Sequence, residues 1–197
     1  DVEPAVIAYG FGGSEPNTSS WGGGPPVFSE ADGKYHFFVS ELANHCGMGT
    51  WSRMSQAVHV VGDTPGGPFV RKATAIPTWL HNTYYAYSPA DKLHLIYGIG
   101  LGQSPPSCNP YLNCTDGTTP GAHGLRPPAK WPPATCSSAH KASVHYSKSL
   151  DGPWHNAGFV NTTGDRWTNW GDSNPAPLVL DNGTVLMIGR TKDGAIL

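Results

Sequence analysis

The chain has 197 residues, enough for one sizeable core, with 13% charged residues and a formal net charge of -2. No basic stripe exists to follow a phosphate backbone, which argues against nucleic acid, and no apolar run approaches the length of a membrane span. Gly 25 and Pro 19 lie far above average usage, and with seven Trp and short alternating segments they indicate turn-rich β structure.

In chain order, the alternation of apolar and polar residues predicts a strand at about Pro26 to Ser29, a turn at Ala31-Asp32-Gly33-Lys34, and a second strand at Tyr35 to Ser40. A third strand is expected at Gln56 to Gly62 and a fourth from Phe69, joined through Pro65-Gly66-Gly67-Pro68. The pattern then repeats, with strands near Tyr84 to Tyr87, at Leu93 to Gly98, at Ala142 to Ser147 and from Trp154. It begins a third time at Pro177 to Leu180 and Thr184 to Gly189. Like units of four strands are propeller blades. Blade one covers about 21–72, blade two about 80–158, and blade three starts at about 172, all in one domain spanning 1–197. Two and a half blades do not close a ring, so the remaining blades are expected on a C-terminal part beyond Leu197.

Loop lengths separate two faces. The connections within each hairpin are tight, whereas Glu41 to Ser55, Leu101 to Lys141, Lys72 to Asn82 and Asn156 to Asn174 are long and share the other face, where loops carry function. Six of the seven Trp map to it (Trp21, Trp51, Trp79, Trp131, Trp167 and Trp170), and aromatic rings there suit the apolar faces of sugars. Trp154, at a strand start, is expected to pack between blades. Four cysteines, Cys46, Cys108, Cys114 and Cys136, and four N-x-S/T sequons, at Asn17, Asn113, Asn161 and Asn182, point to a secreted glycoprotein with disulfides.

The strand–Asp/Gly turn–strand pattern, followed by Asp63-Thr64-Pro65-Gly66-Gly67-Pro68-Phe69 or Ser149-Leu150-Asp151-Gly152-Pro153-Trp154, resembles the five-bladed β-propeller glycoside hydrolases: the arabinanase, xylosidase, levansucrase and invertase-like enzymes. The resemblance covers essentially the whole chain and corresponds to the N-terminal half of such a propeller. It implies an all-β fold, an oligo- or polysaccharide partner, and catalytic carboxylates where the inner strands of blades one, two and three begin. One carboxylic acid would protonate the leaving oxygen while a carboxylate attacks or activates water opposite.

This sequence departs at all three places. Trp21-Gly22-Gly23-Gly24-Pro25 puts a Gly about where the first Asp belongs, Asn82 stands nearest the second Asp, and Asn174 or Pro175 falls closest to the acid. The acidic residues of the tight-turn face, Asp32, Asp63, Asp91, Asp151 and Asp181, are read as turn formers. By elimination Glu41 and Asp172 are the candidates for acid–base work, with backbone binding and turn capping as their structural alternatives. His45 and His81 near the presumed pocket, Asn82 and Asn174 with both donor and acceptor groups, Arg190, and the rings of Trp21, Trp51 and Trp170 are the candidate sugar contacts. His59 and His145 hold equivalent places on two strands, as His36 and His94 nearly do, and are read as structural. No tight ligand spacing calls for a metal, no cofactor is implied, and calcium has no support in the sequence. The expected activity is hydrolysis or transfer at a glycosidic bond; a glycan-binding propeller without catalysis, or a protein-docking role, is the alternative.

Overall fold

A computed structural model describes residues 20–21, 23–43, 51–103, 141–160 and 174–189. Its elements are strands β1 (Ser20–Trp21), β2 (Val27–Ser29) and β3 (Lys34–Leu42), a single helical turn α1 (Trp51–Met54), and strands β4 (Ser55–Gly62), β5 (Phe69–Ile76), β6 (His81–Ser88), β7 (Leu93–Ile99), β8 (Ala142–Ser147), β9 (His155–Phe159), β10 (Ala176–Val179) and β11 (Val185–Ile188).

All pairing is antiparallel and follows chain order. In the first sheet β1 and β2 share one edge of β3, and β4 and β5 follow; the second sheet runs β6-β7-β8-β9; β10 and β11 form a hairpin. These are propeller blades, inner strand first. The sequence expectations hold for the hairpins, whose turns close on Asx and Ser hydrogen bonds: Asp32 Oδ1 accepts from the Lys34 N–H at 3.3 Å, and Asn182 Oδ1 from the Thr184 N–H at 3.0 Å. Two departures have plain causes. β5 runs on through Lys72–Ile76, placed in a loop by sequence because an edge strand facing water carries no apolar alternation. β6 starts three residues early, at His81, with a register shift between His81 and Tyr84 that breaks the alternation.

The core lies between the first two blades. One face of β3 turns Phe38 toward blade two, where it joins Ala57, Ile76, Leu80, Tyr85 and Ile96 in one buried cluster. The Phe38 ring stacks on His59 at 4.6 Å and on Tyr85 at 5.5 Å, and meets the edge of Trp154 at 5.4 Å. Trp154 therefore does pack between blades, as its place at a strand start suggests. The opposite face of β3 buries Phe37 and Val39 with Val58, Val60 and Phe69. The β10–β11 hairpin presents Leu178, Leu186 and Ile188 to solvent.

The repeated histidines diverge. His59 and His145 pair with Phe38 and Ile96 in matching registers, yet His59 meets His36 while His145 Nε2 contacts the Leu101 carbonyl at 3.2 Å. His94 shares a 2.8 Å hydrogen bond with the Tyr85 hydroxyl.

Because Phe38 has no exposed surface and three aromatic partners, Phe38→Ala should cost about 3–5 kcal/mol. Denaturant unfolding of the two chains checks this; a loss below about 1 kcal/mol would mean the interface collapses around the gap.

Candidate functional site

The starts of the inner strands of three blades converge on a depression of about 320 Å³, lined by Gly23 ahead of β2, by Asn82, Thr83 and Tyr84 of β6, and by Asn174, Pro175 and Ala176 at β10. This is the position at which the family resemblance places catalytic carboxylates, and among the described lining residues none is a carboxylate. Gly23 shows why blade one offers none there. Its φ is +122°, and a Cβ at that position would stand 2.7 Å from the Phe37 ring, so no side chain fits.

The wall of the depression is fastened across blades. Thr83 donates its N–H to Ser40 Oγ and its hydroxyl to the Phe38 carbonyl, both at 3.2 Å, which ties β6 to β3. Asn82 takes the left-handed conformation at φ 51°, one of the few residue types to do so readily. Its Nδ2 donates to Asn174 Oδ1, so the two amides link blades two and three at the mouth. Asn82 and Asn174, two of the candidate sugar contacts, line the depression, while Thr83 and Ser40 were not singled out because their pairing depends on how two sheets dock.

Behind Asn82, His81 is buried and shares a 2.6 Å hydrogen bond between its Nδ1 and Ser55 Oγ, and the Trp51 ring of α1 lies 5.0 Å from its own. The Leu80 N–H donates to the Ser55 carbonyl at 3.0 Å, which anchors the segment before β6 to the start of β4. Burial holds the His81 imidazole neutral, pushing its pKa down to about 4.

Glu41 lies on the other face of β3 from Phe38 and is almost fully buried. Gln56 Nε2 donates to its Oε1 at 3.2 Å, and Arg71 Nε stands 3.7 Å from the same oxygen. Glu41 is not among the lining residues of the depression. Trp21 is described as the second residue of β1, opposite Ser40. His45, Trp170, Asp172, Arg190 and all four cysteines lie outside the described residues.

No protein-family model matches the chain, and no curated protein matches it by sequence. Solved structures do. The family 117 glycoside hydrolase Zg3597 from the marine bacterium Zobellia galactanivorans superposes with a TM-score of 0.53 at 14% identity, over 96% of this chain and 53% of its own. An exo-beta-1,3-galactanase from Phanerochaete chrysosporium gives 0.50 at 8% identity, over 87% of this chain and 32% of its own. The chain has the fold of the propeller glycoside hydrolases. It spans about half the length of the first of these structures and a third of the second.

The sign of the His81 effect is fixed by its burial. Its folded pKa, about 4, lies below the ordinary 6.5, so its share of stability is complete above about pH 6.5 and is lost as pH falls toward 4. The loss amounts to roughly 3 kcal/mol. An NMR titration of the His81 ring should show no protonation until near pH 4; a midpoint near 6.5 would contradict the buried, neutral state.

Proposed function

We propose that these blades belong to a secreted, glycosylated propeller that acts on an oligo- or polysaccharide, hydrolysing or transferring at a glycosidic bond in the depression on the long-loop face. The observation that carries the reading is the convergence of three inner-strand starts on one open depression, in a fold shared with glycoside hydrolases. Its two amides, Asn82 and Asn174, offer both donors and acceptors to sugar hydroxyls. Trp21, Trp51, Trp170, His45 and Arg190 are assigned to the surrounding rim, and His81 to positioning Asn82 through its bond to Ser55. Asp172 is assigned acid–base work at the scissile bond, whereas Glu41, buried against Gln56 and Arg71 and outside the lining of the depression, is not. The sequon at Asn182-Gly183-Thr184 stands on the exposed turn between β10 and β11, as a glycosylation site requires.

A second reading has its own support. With no carboxylate among the described lining residues, the same depression suits a glycan-binding propeller without catalysis.

Titration with plant and algal oligosaccharides, following Trp fluorescence and product release together, separates the two. Quenching with release is expected for the enzyme, and Asp172→Asn should then abolish turnover while leaving affinity intact. Quenching without release selects the binding module. In either case Asn82→Ala and Asn174→Ala should each weaken binding about 3- to 10-fold. Binding unmoved by both would exclude the depression, and silence in both channels would sink the carbohydrate reading.

A further inference from the structure

The opposite face of the molecule, where the hairpin turns lie, holds a second and larger groove of about 610 Å³ between blades one and two. At its inner wall sits a cluster that the sequence reading divided into structural histidines and turn-forming aspartates. His36 Nδ1 and His59 Nε2 face each other at 2.7 Å. The outer nitrogen of His36 meets both carboxylate oxygens of Asp32 at 3.1 Å. The outer nitrogen of His59 stands 3.6 Å from Asp151 Oδ1, which belongs to the turn between β8 and β9 in blade two. Lys72 of β5 closes the row, its ammonium 2.7 Å from that same oxygen. Both imidazoles are 2% exposed, whereas both aspartates reach solvent.

This is more than a pair of packed rings. In the tautomer whose Nε2–H is held by Asp32, Nδ1 of His36 presents its lone pair inward to His59. A carboxylate holding the outer N–H of a histidine is the usual way a metal-ligating imidazole is oriented and made more basic. One nitrogen from each ring and one oxygen of Asp151 all lie within 4.8 Å of one another. The local charge is also right, since two carboxylates face one ammonium around the two rings.

The geometry points to a transition-metal site in this groove, with His36, His59 and Asp151 as ligands, Asp32 orienting His36, and Zn2+ as the ion the donor set suits. Three protein ligands leave a fourth position, which the groove opens to water. Two nitrogens on one zinc stand about 3.3 Å apart, so the rings part by roughly half an ångström as the ion arrives, and the exposed Asp151 carboxylate swings from the outer nitrogen of His59 to the ion. The N–H proton between the rings moves to the outer nitrogen of His59, and Asp151 gives up Lys72. Nothing is oxidised or reduced. The site bridges blades one and two, so the ion would also clamp the interface built around Phe38. It lies away from the depression that carries the carbohydrate reading and does not depend on it.

The test uses the full chain, stripped with chelator and then titrated with Zn2+ by calorimetry and with Co2+ by visible absorption. One ion per chain is expected, with a tetrahedral Co2+ spectrum and a raised Tm. Three exposed side chains supply variants that leave the core intact. Asp151→Asn should weaken binding at least tenfold, Asp32→Asn by about 10- to 100-fold as a positioning residue, and Lys72→Met should tighten it by removing the competing ammonium. Histidine nitrogen NMR reads the same site independently, because Zn2+ should move the inner nitrogen of His36. The inference is overturned if no ion binds at large excess, in which case the pair holds only a proton. It is equally overturned if binding ignores Asp151→Asn and Asp32→Asn, since the ion then sits elsewhere.

Discussion

Everything described here hangs on how one ring, Phe38, fills the gap between two sheets. A blade is hydrophobic on both faces and cannot bury either alone. Phe38 projects from β3 onto Tyr85 of blade two, with His59 stacked behind it and Trp154 at its edge. That contact brings β6 alongside β3, where Thr83 finds Ser40 and the Phe38 carbonyl. Those bonds place the start of β6, and hence Asn82, beside Gly23 and Asn174. At the other end of the same interface, the turn carrying Leu150 and Trp154 packs on the cluster and delivers Asp151 to His59. One packing event thus builds both depressions, on opposite faces.

The repeat supplies a scaffold whose equivalent positions are free to diverge. His59 and His145 occupy matching registers, but only His59 has a histidine partner and a carboxylate within reach. Glu41 pairs with Gln56 where blade two pairs Ile99 with Ala142, so a buried polar pair on one blade corresponds to an apolar contact on the next. A buried carboxylate is retained only with hydrogen-bonding and charged neighbours, which Gln56 and Arg71 supply. Departures from the repeat mark the positions where burial has been spent on polar groups.

The depression on the long-loop face combines a rigid frame with amide chemistry. Gly23 excludes any side chain, Asn82 adopts a left-handed backbone, and its side chain is held by Asn174 across a blade boundary. Amides so fixed present donors and acceptors in set directions without a charge to desolvate, which suits neutral hydroxyl-bearing ligands. His81 supports this frame from behind as a buried neutral ring.

Much of the fold was legible before any coordinates. Alternation and Asp/Gly turns located the inner hairpins, and loop lengths assigned Asn82 and Asn174 to one face, because strand period and turn chemistry are local properties of the chain. Lys72–Ile76 escaped because an exposed edge strand needs no apolar pattern, and Ser20–Trp21 because two residues are too few to show one. The roles of Ser40, Thr83, Asp32 and Asp151 were not legible at all. As sequence, Asp32 and Asp151 are turn residues, and His36 and His59 are strand histidines. Only the docking of blade two on Phe38 sets Asp151 against His59 and Thr83 against Ser40, since contacts between sheets depend on side-chain packing across residues far apart in the chain.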